Sequence, residues 1–180
     1  MNRTLFFASL TFGVSPLFFS GCATPAQSSA MVAVSSVRSL RAATGSLGVS
    51  VSGGRETSST GASQVSNEEF GKALVASIEK AGLFSEVSVG AAGRYQLNAY
   101  VSRLTQPLIG FSMTVTMEVG YTLVDNGNHQ IIWQKSIVSE HTAAASEAFA
   151  AVKRLRLATE GAAKGNIESL LRELSRLDMK

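Results

Sequence analysis

Few side chains in this sequence are equipped for chemistry, and their spacing leaves most of them without a task. The 180-residue chain has one cysteine, Cys22, and two histidines, His129 and His141. A transition-metal site needs several His, Cys or carboxylate ligands converging on one point, and no second His or Cys stands at ligand spacing from either histidine. One thiol cannot form an internal disulfide. Gly110-Phe111-Ser112-Met113-Thr114 begins like a nucleophile elbow, but it lacks the closing glycine and opens a long amphipathic strand instead of a strand-to-helix turn. Ser52-Gly53-Gly54-Arg55-Glu56-Thr57 is glycine-rich without the Gly-Lys-Ser/Thr ending that would cradle a phosphate. Glu68 and Glu69 are adjacent carboxylates, yet neighbours on a helix point apart. The reading is therefore no catalytic residue, no metal ligand and no cofactor. Cys22 is left, and it closes an uncharged, Phe/Leu-rich stretch from Leu5 to Phe19 that follows the positive Arg3. That is the layout of a secretory signal, too short and too interrupted by Ser, Thr and Pro16 to span a bilayer.

The ending Phe19-Ser20-Gly21-Cys22 resembles the lipobox of bacterial lipoproteins, with Phe19 where leucine is usual. The resemblance implies cleavage between Gly21 and Cys22, diacylation of the Cys22 thiol and acylation of the new N-terminus. The rival readings are an ordinary thiol, or an ordinary signal peptide cut after Ala26. A thiol just beyond an apolar segment has no core to enter, which favours the lipid. A single acyl chain anchors only marginally, at ~0.8 kcal/mol per buried CH₂, whereas two or three on one cysteine hold durably. Ala23 follows where lipoproteins retained in the inner membrane usually carry Asp. By that resemblance the protein lies on the periplasmic face of the outer membrane.

Removal of residues 1–21 takes away one base, Arg3, and leaves a chain about two charges positive, near neutral for its length. No run of like charges, aromatic RNA-binding motif or zinc-finger spacing points to nucleic acid. The remaining chain suffices for one modest core. Three segments are expected: a signal peptide at 1–21, an acylated N-terminus and flexible tether at 22–44, and one domain at 45–180. As a coil, the tether would hold the domain on the order of 25 Å from the membrane. Met31-Val32-Ala33-Val34 within it is an alternative docking segment or short strand.

The elements of the domain follow from periodicity. Residues 46–52 alternate Leu47, Val49 and Val51 with Gly and Ser, and predict a first strand. A Gly/Ser/Thr-rich loop, expected to be mobile, fills 53–64. Ser66 as N-cap with Glu69 three positions on is a capping box, and Val65 and Phe70 occupy the positions of a hydrophobic staple. Phe70, Leu74, Ile78 and Ala81 then recur at helical spacing to Gly82, which predicts a helix over 67–81. Strands are expected at 84–89, 94–104, 111–124 and 129–139. The third of these alternates most clearly, and Asp125-Asn126-Gly127-Asn128 turns it into the fourth. The fourth is apolar on both faces, from cover on both sides or from a bulge. A helical stripe returns over 144–177, with Glu160–Lys164 and Glu168–Arg172 as solvated i,i+4 pairs.

The order β, α, β, β, β, β, α predicts an α+β fold: an antiparallel sheet of four to five strands with two helices packed on one face. Val49-Ser50-Val51-Ser52-Gly53-Gly54-Arg55-Glu56-Thr57, Arg94-Tyr95-Gln96-Leu97 and Arg154-Leu155-Arg156-Leu157-Ala158-Thr159-Glu160-Gly161-Ala162-Ala163 resemble a group of small proteobacterial lipoproteins of unassigned function. In architecture alone the chain is similar to the LPS-assembly lipoprotein of an outer-membrane translocon and to auxiliary lipoproteins of ABC-type lipid transporters. The expected function is a non-enzymatic, lipid-anchored envelope protein with a protein partner, as an accessory of a transport or assembly machine. The alternative is a lipid- or glycolipid-binding module using the cleft between helices and sheet. The candidate contacts are Arg55 and Glu56 in the loop, and Leu108 and Ile109 on the turn between two long strands. Cys22→Ser is expected to abolish palmitate labelling and leave an unprocessed or misplaced precursor; labelling and fractionation unchanged from wild type would refute the lipid anchor.

Overall fold

The computed structural model describes residues 23–34, 43–58, 62–90 and 93–178. Its elements are α1 (Ser28–Met31), β1 (Ala43–Ser52), α2 (Asn67–Ala81), β2 (Phe84–Val89), β3 (Tyr95–Thr105), β4 (Met113–Asp125), β5 (Gln130–Ala143) and α3 (Ala151–Leu174). The five strands form one sheet in the order β2-β1-β3-β4-β5. The α+β class holds, and the sheet is mixed. β3, β4 and β5 pair antiparallel as a meander, whereas β1 runs parallel to both of its neighbours. Parallel pairing of β1 with β2 follows from the helix between them, since such strands need a crossover. The 90–94 connection then joins strands on opposite flanks of β1. Gly93, at φ +154°, lies so close to that strand that a Cβ would sit 2.8 Å from the Gly48 nitrogen and 2.9 Å from the Ser46 oxygen. Only glycine allows that approach.

α2 and α3 cover one face of the sheet. Met113, Val115, Met117, Val119, Tyr121 and Leu123 of β4 are all buried there, as the alternation predicts. Leu47, Val49, Leu97, Phe70, Leu74, Ile78, Ile167 and Leu170 complete the core with no exposed surface. The fourth predicted strand does contain a bulge. Leu123 pairs with Trp133 and Val124 with Ile131, which leaves Ile132 as the extra residue. That strand also continues to Ala143, because β4 begins at Met113 and pairs its first residues with His141–Ala143.

α2 begins at Asn67 and ends at Ala81 with Gly82 in the left-handed conformation, φ 63°. Ser66 Oγ accepts the Glu69 amide at 3.2 Å, half of the capping box. The Glu69 carboxylate turns elsewhere, accepting from the Ser28 amide at 2.7 Å and the Lys72 ammonium at 3.0 Å. α3 starts at Ala151, later than the stripe suggests, because residues 144–150 turn on themselves: the Glu147 carboxylate accepts the Ala144 amide at 2.6 Å. The helix is continuous through Gly161 and Gly165. At Gly161 the His141 ring occupies the place of a Cβ.

The N-terminal segment differs most from expectation. In place of a flexible tether, residues 23–34 are packed on the body, with Ala26, Met31 and Ala33 buried. The Ala26 amide donates to Gln64 O at 3.2 Å, that of Gln27 to Glu160 Oε1 at 3.1 Å and that of Ala33 to Ser77 Oγ at 3.0 Å. Glu160 is accordingly buried and bonded to the N-terminal segment and Arg156, and is no solvated partner of Lys164. Residues 35–42 lie outside the described residues. Ser66→Ala should cost about 1 kcal/mol, the usual loss for an N-cap side chain, read as a lower chemical denaturation midpoint.

Candidate functional site

Two surfaces gather the sequence-predicted contact residues, and they lie on different parts of the body. Arg55 and Glu56 are both exposed in the loop after β1. This loop is pinned at its described flanks. The Gly54 amide donates to Asn67 Oδ1 at 2.8 Å, the Arg55 amide to Val65 O at 2.9 Å and the Gln64 amide to Thr57 Oγ1 at 2.7 Å. Gly53, at φ +79°, and Gly54 press so tightly against Val101 O and against Val65–Asn67 that a side chain at either would collide with backbone. The result is a groove of about 260 Å³ between the loop and β3, lined by Arg55, Tyr100, Ser102 and Arg103 among others. Tyr100 and Arg103 were not singled out from the sequence; the alternation of β3, which puts Leu97, Ala99 and Val101 inward, was the available signal.

The groove opens onto the uncovered face of the sheet. Across that face Thr114 meets Thr142 at 2.8 Å, Thr116 donates to Glu140 at 3.3 Å and Ser136 to Glu118 at 2.9 Å. Arg103 approaches the same Glu118 at 3.9 Å. Tyr100 and Val138 stand out of this polar surface, 58% and 62% exposed.

The second surface is the end of the sheet where β3 turns into β4. Leu108 and Ile109 are 98% and 88% exposed, with Phe111 at 90% and Phe149 at 103% beside them. The turn is therefore no part of the core, and Phe111 falls outside the strand. Arg154, itself buried, joins the two loops that carry these residues. Its Nη1 donates to the carbonyls of Ala148 at 2.8 Å and Phe149 at 2.7 Å, and its Nη2 to that of Gly110 at 3.4 Å. Two residues further along α3, Arg156 donates to Thr24 Oγ1 at 3.2 Å. Gln106, next to Pro107, donates to Ser63 O at 2.6 Å and Thr159 Oγ1 at 2.9 Å and accepts from Gln64 at 3.1 Å. The N-terminal segment, the β3–β4 turn and the start of α3 thus form one bonded cluster. Gly21 and Cys22 lie outside the described residues.

His129 and His141 sit at opposite ends of β5, roughly 40 Å apart at ~3.3 Å per residue, so they cannot share one site. Among the described residues no group of three or more His, Cys, Asp or Glu could hold a metal ion, and no helix is long and apolar enough to cross a membrane. Tyr121, whose hydroxyl donates to Asn166 Oδ1 at 2.8 Å, is pushed far up in pKa by burial, so it serves as a core hydrogen-bond donor.

No family model matches the chain, and no curated protein matches it. Among solved structures it shares its fold with protein XCC0632 of Xanthomonas campestris, described as DUF330, at TM-score 0.60 and 13% identity over 78% of this chain and 87% of that one. A lipoprotein structure from Caulobacter crescentus superposes at TM-score 0.47 with 16% identity, covering 72% and 87% of the two chains. The PelC dodecamer of Paraburkholderia phytofirmans gives 0.48 and 16%, covering 84% and 93%. At such identities the first likeness is one of fold, and the two weaker superpositions add nothing to it.

The docking of residues 23–34 carries a pH signature. The Ser28 amide, its hydroxyl and the Lys72 ammonium hold Glu69 at about 2, well below the usual carboxylate value. A depressed carboxylate stabilises the fold at pH values above its unfolded pKa, and that contribution fades as pH falls towards the folded one. Glu69→Ala should therefore lower the urea midpoint at pH 7 and open the N-terminal segment to protease. The deficit relative to wild type should shrink between about pH 4.5 and pH 2. A deficit independent of pH would mean that the carboxylate charge plays no part.

Proposed function

We propose that this protein is a non-enzymatic, lipid-anchored envelope protein. It holds a protein partner on the uncovered face of its sheet, as an accessory or scaffold subunit of a transport or assembly machine. The observation that carries the reading is that face. The helices leave β3, β4 and β5 bare on one side, whereas Gly93 and Arg94 lie against β1 there; at about 4.8 Å spacing the bare part is about 14 Å across. With these strands about 40 Å long, its area is about 600 Å², somewhat below the roughly 800 Å² that each partner contributes to a standard protein interface. Its make-up, an exposed Tyr100 and Val138 amid Thr, Ser, Glu and Arg with the Arg55 groove at its margin, matches apolar anchors within a polar surround. The anchor reading rests on Phe19–Cys22, and the outer membrane on Ala23.

The alternative, lipid held in a helix–sheet cleft, finds little room among the described residues. Phe70, Leu74, Ile78, Ile167 and Leu170 are buried there with no exposed surface. The depression beside α2, near Val49, Val51, Gly71 and Val89, measures about 350 Å³. That is the low end of the range for a drug-sized ligand and too small to enclose a diacyl lipid.

Replacing Tyr100 by a photo-crosslinking phenylalanine analogue in cells tests the reading, with exposed Glu79 on α2 as control position. One discrete protein adduct specific to position 100 is expected, and Arg55→Glu should diminish it without lowering the melting temperature. No adduct at position 100 beyond those at 79 would overturn the assignment of this face, and an adduct to lipid would favour the alternative.

A further inference from the structure

The cluster at the β3–β4 turn has a second property that the partner-holding face does not use. Leu108, Ile109, Phe111 and Phe149 come from two loops far apart in sequence, yet all project from one end of the body almost wholly into solvent. Large apolar side chains so placed are normally folded back or covered. Here the loops are held in that pose by a buried guanidinium bonded to carbonyls of both. The chain reaches the same end from its N-terminal side. Thr24 is bonded to Arg156, two residues along α3 from Arg154, and Cys22 is only two residues before Thr24. Two residues span at most about 7 Å even when fully extended. An acyl group on Cys22 would therefore enter the bilayer near this end of the body. Exposed Lys153 stands on the first turn of α3, four residues on from Phe149, while the Glu147 carboxylate is turned back onto the Ala144 amide.

We infer that this end of the molecule is a membrane-docking surface: Leu108, Ile109, Phe111 and Phe149 insert into the leaflet that holds the lipid anchor. The inference rests on the acylation of Cys22 within the proposed function. With two or three acyl chains for retention, the role of the inserted side chains is to fix the body's orientation on the surface. The body then sits directly on the lipid, and the uncovered sheet face is presented at a fixed attitude to it.

The test places a single thiol at Ile109, at Phe149 or, as control, at Lys80 in the last turn of α2, which leads into the opposite end of the sheet. Each full chain (Ile109→Cys, Phe149→Cys, Lys80→Cys) is purified from membranes, labelled with an environment-sensitive fluorophore and reconstituted into phosphatidylethanolamine/phosphatidylglycerol vesicles containing doxyl-labelled acyl chains. The expected result is quenching at 109 and 149 several-fold stronger than at 80. Equal quenching at the three positions overturns the inference. Shielding of 109 and 149 from aqueous iodide without quenching by lipid also overturns it, since protein then covers the tips. Uptake of the probe by Cys22 in the wild-type chain means the anchor reading has failed and this inference with it. A blocked Cys22 with unquenched tips leaves the anchor standing and removes only the inference. Leu108→Ser/Ile109→Ser, which should melt as wild type does because both residues are exposed, is expected to leave the chain membrane-bound while increasing its accessibility to added protease.

Discussion

Helix α3 carries polar side chains into the interior, and the rest of the molecule is arranged to satisfy them. Arg154, Glu160 and Asn166 are spaced six residues apart and all are buried. A charge or amide taken out of water without partners costs several kcal/mol, so each must recruit bonds from elsewhere. Arg154 takes carbonyls from the loops at one end of the sheet. Glu160, whose pKa burial raises, takes the Gln27 amide and the Arg156 guanidinium. Asn166 donates to Ile137 O at 2.8 Å and accepts from Tyr121, tying the helix to the sheet. One helix thereby fixes the apolar loops, the N-terminal segment and the edge strand β5 in a common frame.

The N-terminal segment is held by acids on both helices, Glu69 of α2 and Glu160 of α3, each accepting a backbone amide at the start of α1. This shortens the distance between the expected acylation site and the folded body from the span of a coil to a couple of residues. An anchor on a long coil lets a domain sample all orientations, whereas one at the proposed site would couple the attitude of the sheet to the plane of the bilayer.

What was legible in the sequence is what local rules decide. α2 matched its predicted bounds because N-cap, staple, apolar spacing and Gly82 all agree, and β4 followed because its alternation is unbroken. The parallel pairing of β1 was not legible: nothing within residues 43–52 records which strand lies alongside. Glu160 reads as a solvated helix charge unless the segment that covers it is known, and that segment, rich in Ala and Ser, reads as coil because its buried residues are small. At the candidate site, Leu108 and Ile109 stood out as apolar residues on a turn. Phe149 did not, since it merges with the helical stripe of 144–177 until Arg154 is seen to hold it apart. Tyr100 and Arg103 needed the strand register before they could be placed beside Arg55.

The passage of the chain across β1 at Gly93 bears on how the domain assembles. β3, β4 and β5 follow one another through short connections and can zip up as hairpins from neighbouring sequence, which is fast because little loop entropy is lost. β1 has no such route. It must slot between β2 and β3, strands separated by only five residues, and pair with both in the parallel sense. Local contacts thus favour early formation of the meander, whereas β1 depends on long-range pairing. In a chain synthesised from its N-terminus, β1 emerges first and stays unpaired until its partners, forty or more positions later, emerge. Ser46, Gly48, Ser50 and Ser52, which alternate along it, keep one side of that waiting strand polar and limit its tendency to aggregate before its neighbours arrive.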